Sequence, residues 1–74
     1  MIGLEDIDNW FEYHAPKPHQ IGQYAAIRDA GKEFAKTIHR LTPPSADQTA
    51  AIRKVREAVM TANAAIACDC GGKA

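Results

Sequence analysis

Cysteine is scarce in this sequence: the only two, Cys68 and Cys70, stand one residue apart near the C-terminus. They are too few and too close to frame a secreted disulfide scaffold, and are expected to be surface thiols that do not staple the fold. Long apolar runs are absent as well. Nothing approaches the roughly 18 residues that cross a bilayer, and the N-terminal stretch carries Glu5, Asp6 and Asp8 where a secretory leader needs positive charge. A soluble, cytoplasmic protein is expected. Net charge is missing too, because nine Lys plus Arg balance nine Asp plus Glu. No global field therefore draws the chain to long nucleic acid, although a small charged ligand is still allowed.

Other absences narrow the function. There is no glycine-rich phosphate loop, no dinucleotide fingerprint, no internal repeat and no period-two alternation long enough for a sheet. Ser45 is committed to helix capping and the acids are scattered over solvated faces, so no nucleophile or general base has a positioned partner. The chain is expected not to be an enzyme. His14, His19, Cys68 and Cys70 supply four soft groups, but their H-x4-H and C-x-C spacings differ from the usual zinc patterns, so neither a metal nor a cofactor is expected.

What is present reads as helix. Leu4, Ile7 and Phe11 recur at helical spacing with Ile2 and Trp10 beside them, which predicts a short amphipathic docking helix over Gly3 to Phe11 with acids in its first turns. Pro16 and Pro18 end it and push Ala15 and Lys17 into extended backbone. From about His19 to Leu41, Ile21, Tyr24, Ile27 (or Arg28), Gly31, Phe34, Ile38 and Leu41 mark one buried face of a long helix. Gly22 and Gly31 inside it suggest close approach by another helix, of this chain or of a second subunit. Thr42-Pro43-Pro44 stops it, and Ser45 with Gln48 forms a capping box that starts a second long helix. There Ile52, Val55, Val59, Ala62 and Ile66 form a stripe, with Ala at many other positions keeping the surface slim. The fold class is all-α: a short helix followed by a long antiparallel helical hairpin. It is one domain over 1–74, with a core at 11–67 and a flexible tail at 68–74.

A chain of 74 residues buries only about 60% of its unfolded surface. With an Ala-rich helix in place of bulky core residues, this predicts an oligomer.

The stretch from Phe11 to Arg28 concentrates two Tyr, two His, two Pro, a Lys and an Arg at the start of a helix. Tyr13 and His14 offer flat faces for a base, Lys17 and Arg28 offer phosphate partners, and the helix N-terminus adds a favourable dipole. Equally, Phe11, Tyr13 and Tyr24 fit a core with two solvated His. Arg28, Lys32 and Lys36 form a basic ridge partly offset by Asp29 and Glu33, as solvated faces often do. Asn63, within the apolar run Ala62 to Ala67, requires a hydrogen-bond partner if buried, which a neighbouring helix or a ligand would supply. Two other functions fit the composition: a helical interaction protein without ligand, and a small nucleic-acid-binding regulator using Arg28, Lys32 and Lys36 with Arg53 and Arg56.

The ordered set F-x-Y-H-x-P-K, then Y-x-x-I-R at Tyr24 to Arg28, F-A at Phe34 and Ala35, and A-V-M-x-A-N-A-A-I-A from Ala58 to Ala67 resembles the phage anti-CBASS protein 2 family. These small helical-hairpin sponges share their domain with the Thoeris-inhibiting Tad1 proteins, and the resemblance covers Phe11 to Ala67. It implies a non-enzymatic protein in the cytoplasm of an infected bacterium that sequesters cyclic oligonucleotide signals. It implies a homohexamer, a trimer of dimers, with cyclic dinucleotides such as cGAMP between paired protomers and cyclic trinucleotides in separate pockets. Carried over by position, Tyr13 stacks on a base and Arg28 contacts phosphate where the family often has Lys. His14, Pro16 and Lys17 shape that pocket, and Asn63 belongs to the second pocket or the interface. Thr61 stands where the family often has Trp, and the tail CDCGGKA has no counterpart.

Overall fold

The computed structural model describes residues 2–69, and among them there are three helices and no strand. In chain order they are α1 (Leu4–Phe11), α2 (Pro18–Leu41) and α3 (Ala46–Ala67). Cys70, Gly71 and Gly72, and with them the expected fraying of the tail beyond 69, lie outside the described residues.

Each start has a local cause. Gly3 is the N-cap of α1, and its N–H donates to Asp6 Oδ2 at 2.8 Å. Pro18 takes the first position of α2, where its missing N–H costs nothing, so the helix begins one residue earlier than expected. Ser45 Oγ accepts from the Gln48 N–H at 3.1 Å, the expected half of a capping box. The other half is not made. Gln48 instead turns its amide to the opposite strand of the hairpin and donates to Thr42 O at 3.0 Å and His39 O at 3.2 Å. Two carbonyls at the end of α2, which the helix itself leaves unpaired, are satisfied that way.

α2 and α3 pack antiparallel and make the body of the molecule. They approach closely at Gly31, where an added Cβ would overlap Val59 Cγ2, so only glycine allows this spacing. The approach expected at Gly31 is thus met within one chain. Gly22 differs: a Cβ there meets nothing within 4 Å.

The interior is thin. Val55, at 9% exposure, is the one buried apolar residue among those described. Tyr24, Ile27, Gly31 and Ile38 are half-buried against α3, but Ile21, Phe34 and Leu41 are exposed, so the predicted face of α2 is wider than the footprint of its single partner. The amphipathic face of α1 is likewise uncovered: α1 has no buried residue, and Phe11 is 84% exposed. The radius of gyration is 15.3 Å, with extents of 44 × 29 × 20 Å. A compact domain of this length would have about 11 Å. No helix among the described residues is long and apolar enough to cross a membrane.

Candidate ligand site at the open end of the hairpin

Opposite the α2–α3 turn, three elements meet: the end of α1, the start of α2 and the end of α3. The chain between the first two cannot be helical, because each residue preceding Pro16 and Pro18 is held extended; Lys17 has φ −82° and ψ 155°. Side-chain amides close the junction. Asn9 Nδ2 donates to Cys68 O at 3.0 Å, and Gln20 Nε2 donates to Ile66 O at 3.0 Å. Both carbonyls belong to the last turn of α3, the negative end of its dipole. Gln20 Oε1 also accepts from the Lys17 N–H at 3.0 Å, and His14 Nε2 lies 2.7 Å from Asn9 O. A carbonyl only accepts, so Nε2 carries a proton and donates.

This junction walls a cleft of about 480 Å³, lined by Tyr13, His14 and Lys17 together with Asn9, Glu12, Gln20 and Asp69. Three of the six site residues expected from sequence therefore meet here. Tyr13 is 88% exposed, which removes the core reading for its ring and leaves a face for a base. Pro16 is exposed in the extended stretch and does not line the cleft; it acts through backbone direction. His14 is half-buried and bonded, not solvated. Lys17 faces Glu12 and Asp69 across the cleft, so the local balance of one chain does not favour an anion.

Arg28 and Asn63 lie elsewhere. Arg28 is eleven residues along from Lys17 in sequence, which is about 16 Å at helical rise. It is exposed on the flank of α2 that also carries Lys32, beside a shallow groove lined by Lys32, Arg56 and Met60. Asn63 is one turn before Ala67, a wall of the cleft. Its Oδ1 is buried and has no hydrogen-bond partner within the chain. An acceptor in that state costs about 1–3 kcal/mol unless something donates to it.

The opposite flank is a different surface. Ala30, Phe34, Ala51, Ala58 and Ala62 line an apolar trough of about 540 Å³, which continues past Ile27 to Ala26 and Ala65. Small side chains keep its floor low and open.

Among the described residues no group of three or more His, Cys, Asp or Glu is gathered to hold a metal. Cys70 lies outside those residues, and Cys68 is not a surface thiol: it is half-buried, with Sγ 4.0 Å from Asn9 O. Residues 68 and 69, assigned from sequence to a flexible tail, are instead tied to the junction through the Asn9 side chain and the Asp69 N–H to Ile66 O bond.

The family model of the Acb2/Tad1 hairpin domain matches residues 4–67. The chain belongs to that family. The match includes α1 as well as the hairpin, and so starts earlier than the resemblance seen in the sequence motifs. No curated protein and no solved structure matches the chain. Family membership is consistent with an anti-CBASS role and suggests cyclic oligonucleotides as the general class of partner.

Sequence reasoning missed Asn9, Glu12, Gln20 and Asp69 as walls of the cleft. Gln20 had a signal, since Gln at the third position of a helix commonly reaches back to the N-cap N–H. Asn9 had none, because its partner is 59 residues away.

Proposed function

We propose that the protein is a phage anti-immune sponge. It binds cyclic dinucleotides such as cGAMP, and cyclic trinucleotides, without cleaving them, and so blocks CBASS effectors in the cytoplasm of the infected bacterium. The observation that carries the reading is the junction cleft, where an exposed Tyr13 ring, His14 and Lys17 stand together on a Pro-fixed corner. Stacking on an aromatic ring is worth about 1–3 kcal/mol per base, and a cation beside it engages phosphate.

The charge of the cleft supports a shared site. Lys17 is offset by Glu12 and Asp69, and Arg28 is too far along α2 to reach the same ligand from the same chain. Phosphate is then neutralised by Arg28 of a second protomer. Assembly has the surface it needs: the accessible surface is 6152 Å², against about 4,500 Å² for a compact monomer of this mass. The excess exceeds the roughly 800 Å² per partner that a stable interface buries. The Ala-lined trough is the hairpin seat in a homohexamer built as a trimer of dimers, and the flank with Arg28, Lys32 and Arg56 faces ligand. Asn63 Oδ1, still lacking a donor, takes one from a trinucleotide or from the adjoining protomer.

Titration calorimetry with a panel of cyclic di- and trinucleotides, followed by heat release and chromatography of the ligand, tests this. Tight binding with ligand recovered intact is expected, and Tyr13→Ala and Arg28→Ala each weaken it. Degraded ligand would mean an enzyme, and no binding to any member would leave an interaction protein without ligand.

A further inference from the structure

We infer that Gln20 is the positioning residue of the cleft, acting through the Tyr13 to Lys17 corner because both of its polar atoms are engaged by main chain; this rests on the reading of the cleft as the ligand site. Gln20 is the one buried polar residue among those described, at 5% exposure. Polar side chains are rarely buried so fully unless every group is used, and here both are. Oε1 holds the Lys17 N–H and Nε2 holds Ile66 O, each at 3.0 Å. One planar amide thus fixes the residue that ends the corner against the last turn of α3.

A second strap acts on the other end of the corner. His14 Nε2 donates to Asn9 O, and Asn9 Nδ2 donates to Cys68 O. The corner from 13 to 17 is therefore suspended between two amides that both anchor on the carbonyl end of α3, at positions 66 and 68. The direction of Tyr13 and Lys17 depends on the last turn of α3, although neither side chain is bonded to it. It follows that ligand occupancy and order at residues 66–69 are coupled, and by linkage each favours the other. The two straps differ in kind: Gln20 bridges backbone to backbone through one side chain, whereas Asn9 bridges a His ring to a carbonyl through its own main chain.

The test uses the full chain, with cGAMP as probe and amide exchange read by NMR. Gln20→Met keeps the volume and removes both bonds; Gln20→Glu keeps the acceptor for the Lys17 N–H and loses the donor to Ile66 O. The expected result is that Gln20→Met weakens cGAMP about tenfold or more, with helix content and oligomer mass unchanged. Gln20→Glu retains Lys17 amide protection yet still loses affinity, and Glu33→Gln, on the same helix but lining neither the cleft nor the trough, matches wild type. In Gln20→Met the His14 ring signals shift although Gln20 does not touch that ring, a change that helix support alone would not produce. Should Gln20→Met fail to fold, Gln20→Glu and Asn9→Leu carry the same comparison. Wild-type affinity in a folded Gln20→Met, or unchanged Lys17 protection and His14 signals, overturns the inference. If the wild type binds no cyclic nucleotide, the proposed function falls, while Lys17 protection and the His14 signals still decide whether Gln20 sets the corner.

Discussion

The two ends of the hairpin are sealed by the same device in opposite settings. At each, the third residue of an incoming helix is Gln, and its amide donates to carbonyls at the end of the antiparallel helix: Gln48 to His39 and Thr42, Gln20 to Ile66. At the turn the partners are six and nine residues away and the bonds are exposed. At the open end the partner is 46 residues away and the amide is buried. Water can replace Gln48 but not Gln20. The turn end is therefore a stop for the backbone, while the open end is a joint whose geometry has consequences for the cleft beside it.

The contact that both ends share should break first. Gly31→Leu drives a side chain into Val59 and is expected to cost about 3 kcal/mol in urea unfolding, with Val59→Ala in the same chain restoring more than half. No rescue would show that the helices do not cross there. Next, Gln20→Ala leaves a partly buried N–H and a partly buried carbonyl without their partner and should cost about 2 kcal/mol. Ser45→Ala removes the N-cap of α3 and should cost about 1 kcal/mol. Gln48→Ala should cost about 0.5 kcal/mol, because solvent takes over its bonds. Equal losses from Gln48→Ala and Gln20→Ala would erase the distinction between the ends. Of opposite sign, Gly22→Ala should stabilise by about 0.5 kcal/mol, since the added Cβ meets open space. A loss instead would reveal a second copy seated against that position.

The same contrast explains what could be read before folding. The turn end was legible, because Thr42-Pro43-Pro44-Ser45 and Gln48 act within one short stretch, and only the destination of the Gln48 amide escaped. The three helices and the close approach at Gly31 were legible from periodicity and from a glycine where a helix disfavours one. At the open end the Pro-bracketed corner and its residues Tyr13, His14 and Lys17 were visible, but their walls were not. Asn9 and Gln20 are ordinary helix-surface residues until α3 returns beside them. The periodicity of α2 overstated burial for Ile21, Phe34 and Leu41, because the apolar stripe is wider than the footprint of α3, its one long partner.

Gly31 stands eleven residues from Gln20 and ten from Leu41, so the crossing divides α2 into arms of about 16 and 15 Å. It is a balanced fulcrum. Rolling one helix over the other at Val59 moves both tips by similar amounts in opposite senses, and a tilt of about 5° displaces each by about 1 Å. A gap opened at the turn is thus transmitted as a shift of equal size at the cleft, and the Thr42 to Ser45 turn, at the opposite end of the hairpin, holds the far end of the beam still.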